Sequence, residues 1–176
     1  DNWLPPDHFQ ETPQSLVAHS TSPTNIGLHL LSVLAAHDMG YLSLFDTVLY
    51  QRLTFDSLQK LERYRGHLLN WYDTRNLSPL FPKYVSTVDS GNMAACLLAL
   101  KHGCLELLST PLMRWQHWQG LLDTLDVLTD ILKRLKGTAA CEPCAQLAEF
   151  LDTTRQEILA VQHTPDQWWA MVSQLR

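Results

Sequence analysis

Several things are scarce in this chain, and each scarcity removes a class of function. Charged residues make up only 18% against 45% apolar, which is a folded, globular balance and not that of a disordered chain. No run of Lys and Arg occurs, and the net charge is −5, so a nucleic-acid surface is excluded. The longest basic cluster, Lys133-Arg134-Leu135-Lys136, closes a predicted helix, where cations complement the negative dipole end. No apolar run approaches the roughly 18–20 residues that a bilayer span needs, so any membrane anchoring is expected outside this stretch. No secretory leader pattern opens it. Gly-rich phosphate loops and Ser-His-Asp or Cys-His arrangements are also missing, and no cofactor is expected.

Cysteine is sparse, at four residues. Cys96 and Cys104 fall on the apolar stripe of one predicted helix, where cysteine acts as a small hydrophobe. Cys141-Glu142-Pro143-Cys144 has the CxxC spacing of zinc and redox sites, but no second CxxC or HxxxH supplies the other ligands. The pair is read as flanking a helix start, with Pro143 in the first turn, and no metal is expected. His29 and His37, two turns apart on the first helix, read as surface or core histidines.

What is present is helical periodicity, with no strand alternation. Residues 1–22 are Pro-rich and aperiodic, an extended segment. Ser22-Pro23 opens a first helix through Ile26, Leu30, Val33 and Leu34, with Gly40 as its stop. A second runs from about Ser43 to Arg65. A long connection over 67–90 follows, uncommon inside a helical domain and for that reason a candidate for function. A third helix carries Met93, Cys96, Leu97, Leu100, Cys104 and Leu107, with Asp89 expected as its cap. A fourth carries Trp115, Trp118, Leu122, Leu125, Leu128 and Leu132, with Gly137 as its stop. A fifth covers about 142–162, and Pro165 starts a short last one bearing Trp168 and Trp169, which cannot both face one way. The fold class is all-α: five to six helices in successive hairpins, forming a bundle or part of an (α/α) toroid. Asp1 in place of Met, and helical patterning that runs to Arg176, read as edges of a longer polypeptide.

The chemistry is expected in Tyr64-Arg65-Gly66-His67-Leu68-Leu69-Asn70-Trp71-Tyr72-Asp73-Thr74-Arg75 and in Tyr84-Val85-Ser86-Thr87-Val88-Asp89-Ser90-Gly91-Asn92. A sugar site needs flat apolar faces for the C–H side of a pyranose and planar polar groups for its hydroxyls. Trp71, Tyr72, Tyr64 and Tyr84 supply the first; Asp73, Asp89, Asn70, Asn92, Arg65 and Arg75 supply the second. The same residues also suit a bland account, with the aspartates as turn and cap residues and the aromatics plugging the base of a loop.

Those blocks, together with Asp1-Asn2-Trp3-Leu4-Pro5-Pro6-Asp7, Val17-Ala18-His19, Thr21-Ser22-Pro23-Thr24-Asn25-Ile26-Gly27-Leu28 and Leu61-Glu62-Arg63, resemble cyclic β-1,2-glucan synthases in order over residues 1–100. His8 and Ser20 depart from the Asn and Arg of the family pattern, which puts the first loop's role in doubt. The resemblance implies that residues 1–176 are one all-helical piece, the N-terminal part of a glucan-cyclising domain similar to α/α-toroid glycoside hydrolases. Its partners would be linear β-1,2-glucan and the other domains of one long polypeptide, at the cytoplasmic face of the bacterial inner membrane. Cytoplasmic exposure suits cysteines without a disulfide framework. Glycosyl transfer generally uses paired carboxylates. Asp73 and Asp89 are the candidate catalytic carboxylates, and Trp71, Tyr72, Arg75, Asn92 and Arg65 the candidate substrate contacts. The principal acid is expected beyond Arg176. The alternatives are a helical scaffold between synthase domains and part of a β-1,2-glucan hydrolase. A homodimer through an apolar face left open in the isolated piece is a further expectation.

Overall fold

The computed structural model describes residues 1–136 and 142–175. Helices dominate: α1 (Pro23–Asp38), α2 (Leu44–Leu58), α3 (Thr87–Leu107), α4 (Trp115–Lys136), α5 (Glu142–Ala160) and α6 (Trp168–Gln174). The starts follow the local chemistry. Pro23 takes the first position of α1 and Ser22 Oγ accepts the Asn25 N–H at 3.2 Å. Ser43 caps α2, accepting the Asp46 N–H at 3.0 Å and donating its hydroxyl to the Asp46 carboxylate. The cap of α3 is Ser86, not Asp89. Ser86 Oγ accepts the Asp89 N–H at 3.1 Å, which places Asp89 inside the first turn where a carboxylate favours the dipole. Cys141 and Gly137 lie outside the described residues.

Helix α2 stops at Leu58, well short of Arg65. The apolar spacing that suggested a longer helix is met differently: Leu61 enters the core from the turn that follows, at 4% exposure. The chain then forms β4 (Arg63–Tyr64) and β5 (His67–Leu68), an antiparallel hairpin. Its two central residues, Arg65 at φ +50° and Gly66 at φ +87°, both take the left-handed conformation that matches a two-residue hairpin turn. A second ladder, β1 (Phe9–Gln10) with β2 (Leu16–Val17), lies in the Pro-rich start. A third joins β3 (Ser20–Thr21) to β6 (Tyr72–Asp73), with Ser20 opposite Asp73 and Thr21 opposite Tyr72. The fold is mainly helical as expected. The two-residue ladders escaped the sequence because alternation cannot show over so short a run.

The described residues divide into two compact units. The first comprises residues 1–38 and 42–112, and its core gathers Leu4, Ile26, Leu30, Leu58, Tyr72, Met93 and Leu100 among others. Within it α1 and α3 pack so closely that a Cβ built on Gly27 would lie 2.9 Å from Cys96 Cβ. The second comprises residues 39–41 and 113–176, its described core formed by Trp118, Leu122, Leu125, Leu151, Ile158 and Trp168. There Trp168 is buried and donates its indole N–H to the Val161 carbonyl at 2.9 Å, while Trp169 is 71% exposed, so the two rings do face apart. Among the described residues no helix is long and apolar enough to cross a membrane.

Candidate functional site

The candidate residues all lie in the first unit, and Asp73, Arg75, Asp89, Asn92 and Arg65 fall into three local groups. Asp73 and Arg75 form the first. Arg75 donates Nε to Asp73 Oδ1 at 3.0 Å and Nη2 to Oδ2 at 2.6 Å, and its backbone N–H reaches Oδ1 at 2.8 Å. Those hydrogen bonds hold the Asp73 carboxyl down at about 2. A carboxylate so gripped is ionised at neutral pH, the state that suits a base or nucleophile and not a proton donor. The loop around it is pinned from the chain's start. Asn2 Nδ2 donates to the Thr74 and Arg75 carbonyls at 2.8 and 2.9 Å, the Thr74 N–H to the His19 carbonyl at 3.0 Å, and His19 Nδ1 pairs with Asp1 at 2.7 Å.

The second group joins the first turns of α1 and α3. Thr24 Oγ1 donates to Asp89 Oδ1 at 2.6 Å and accepts from Asn92 Nδ2 at 3.1 Å, so Asp89 and Asn92 share one hydroxyl. No hydrogen bond links this group to Asp73 and Arg75 among the described residues. The two candidate carboxylates are each committed locally.

Arg65 belongs to the third group, an open cleft of about 510 Å³ beside the β4–β5 hairpin. Glu62, Tyr64, Arg65, His67, Lys83 and Tyr84 line it. Tyr64 and Tyr84 are 57% and 52% exposed, and so offer ring faces. The Arg65 guanidinium carbon stands 5.4 Å from the Tyr64 ring centroid, and Lys83 Nζ bonds both Glu62 oxygens at 3.0 and 3.1 Å. This combination of open rings and planar or charged groups is what polyol recognition uses. The sequence reading passed over Glu62 and Lys83. The available signal was Arg65-Gly66, whose glycine suits the second place of a tight hairpin turn and would have folded those flanks together.

Tyr72 and Trp71 sit elsewhere. Tyr72 is fully buried, so it has no ring face open to a ligand, contrary to the role expected for it. Its hydroxyl accepts the Leu69 N–H at 2.6 Å and donates to the Glu62 carbonyl at 2.7 Å, and burial raises its pKa. It is a post beneath the cleft, tying the segment before β4 to the segment after β5. Trp71 is half-buried, its carbonyl accepting the Leu80 N–H at 2.9 Å. Asn70 closes the far side through its backbone N–H to the Tyr84 carbonyl at 2.9 Å.

No protein-family model matches the chain. Over 132 residues, 75% of its length, it is 47% identical to the cyclic beta-(1,2)-glucan synthase NdvB of Rhizobium meliloti (strain 1021), and the match spans 5% of that protein. By that identity the chain belongs with the cyclic β-(1,2)-glucan synthases, as the counterpart of one small segment of such a protein.

Proposed function

We propose that the chain is the N-terminal part of the glucan-cyclising region of a cyclic β-1,2-glucan synthase. It supplies a carbohydrate-binding portion of a transglycosylase, at the cytoplasmic face of the inner membrane and within a larger (α/α) toroid. The observation that carries this reading is the cleft beside the β4–β5 hairpin, where the exposed rings of Tyr64 and Tyr84 stand with Arg65, Glu62 and Lys83. Stacking a pyranose face on such rings buries apolar area while the charged groups orient its hydroxyls. Arg75 and Asn92 remain exposed and are the further contacts along a long glucan. Asp73 serves by holding Arg75, and Asp89 by fixing the Thr24 hydroxyl that Asn92 bonds, and the proton-donating carboxyl of the transfer comes from other parts of the polypeptide.

A second reading, a non-catalytic scaffold between synthase domains, is favoured by one observation: Asp73 is buried at 8% exposure, with both oxygens occupied by Arg75. Calorimetric titration of the chain with linear β-1,2-glucan separates the two, with β-1,3- and β-1,4-linked glucans as controls. The binding reading expects saturable heat from the β-1,2 chain alone, weakened about tenfold or more in Tyr84→Ala, since loss of one stacked ring removes on the order of 1–3 kcal/mol by analogy with base stacking. No heat from any glucan, with the chain folded, leaves the scaffold reading.

A further inference from the structure

The same cleft is basic within an acidic chain. Arg63, Arg65 and Lys83 line it against the single carboxylate Glu62, with His67 beside them, while the chain as a whole carries −5. Their existing commitments differ. Lys83 directs its ammonium, which has three donors, to both Glu62 oxygens, and Arg63 donates Nη2 to the Leu58 carbonyl at 3.3 Å. Arg65 donates no hydrogen bond among the described residues and only rests over the Tyr64 ring. It also occupies a costly place: at φ +50° it holds the first central position of the hairpin turn, where Asn, Asp or Gly fits with less strain. Its planar fork of five donors, open at a cleft mouth, matches the oxygens of a phosphate or carboxylate.

We infer that this cleft takes a saccharide bearing an anionic group of the phosphate-monoester class, with Arg65 as the bidentate donor to the anion, Lys83 as a second cation and Tyr64 and Tyr84 against the sugar ring. The inference rests on one part of the carbohydrate reading above, a sugar ring against Tyr64 and Tyr84, and adds the charge of the ligand. A sugar hydroxyl gives the fork one acceptor atom at a time, whereas a phosphate satisfies it bidentately and is drawn in by the local excess of positive charge.

Calorimetry of the 176-residue chain at low ionic strength tests it with four probes: linear β-1,2-glucan, the neutral disaccharide sophorose, glucose 6-phosphate and inorganic phosphate. Glucose 6-phosphate is expected to bind at least about tenfold more tightly than sophorose, and to weaken as salt is added. In Arg65→Gln and in Lys83→Gln the ratio of those two affinities falls about tenfold, while Arg65→Lys keeps part of it. Unchanged thermal unfolding confirms that the variants are folded. Neutral sugars binding as well as glucose 6-phosphate would overturn the inference and leave the carbohydrate reading standing. Inorganic phosphate binding as tightly as glucose 6-phosphate would also overturn it, reducing the cleft to a bare anion patch. Tight binding of glucose 6-phosphate with no response to the neutral glucan sustains the inference and removes the polymer reading.

Discussion

At the scale of single residues, Asp73 shows how a motif aspartate divides between chemistry and architecture. Its neighbour two positions on in the chain, Arg75, takes both carboxylate oxygens, and its own backbone N–H bonds the Ser78 carbonyl at 2.9 Å. The folded carboxyl at about 2 lies below the roughly 3.9 of an unfolded aspartate. A depressed folded value stabilises the native state above the unfolded one, and the contribution is lost as the pH falls from about 4 through about 2. The urea midpoints of the parent and of Asp73→Asn are therefore expected to differ most at neutral pH and to converge as the solution is acidified. Curves that stay parallel down to about pH 2 would show that the ion pair contributes nothing in solution. Asp73, Thr74 and Arg75 stand together in the sequence, so this pairing was legible as a short-range possibility. The burial of Tyr72 between them and the cleft was not, because it depends on Glu62 and Leu69 arriving from a separate hairpin.

At the scale of elements, the helices were the legible part and the ladders were not. Apolar residues at helical spacing located α1, α3, α4 and α5 because each of these helices buries one stripe: Ile26, Leu30 and Val33 on α1, Trp118, Leu122 and Leu125 on α4. Periodicity does not reveal how closely two stripes approach. The contact of α1 with α3 at Gly27 and Cys96 makes opposite expectations for two glycines. In Gly27→Ala the new methyl meets Cys96 Cβ at 2.9 Å, an atom that cannot swing aside. Overpacking of this kind costs roughly 1–3 kcal/mol, against the roughly 1 kcal/mol that alanine recovers over glycine in a helix. The net expectation is a loss of about 1 kcal/mol. Gly91 is also helical and has open space around its Cβ position, so Gly91→Ala is expected to stabilise by about 0.5–1 kcal/mol. Urea unfolding of the two variants checks both signs, and a stabilised Gly27→Ala would mean that the helices separate without cost.

At the scale of the whole molecule, composition announced a folded chain and said nothing of its division. The first unit closes a core of its own from Leu4, at the chain's start, to Leu100 on α3, and none of these residues comes from beyond Leu112. A chain ending at Leu112 is accordingly expected to keep its helical circular dichroism and to unfold cooperatively in urea. A gradual, non-cooperative loss of signal would show that this core needs the second unit. The candidate residues sit entirely within that first unit, which also contains the ordered motif blocks.

The sequence by itself determined where the helices begin, the cap at Ser22 and the region in which the polar and aromatic residues gather, since each of these rests on neighbours a few positions apart. Only the tertiary structure decided which of those residues face a ligand. Tyr72 went into the core, Asp73 and Asp89 were taken up by Arg75 and Thr24, and Tyr64, Arg65, Lys83 and Tyr84 were left open around one cleft. The reason is that exposure and pairing depend on segments far apart in the chain, joined by ladders too short to leave a periodic trace.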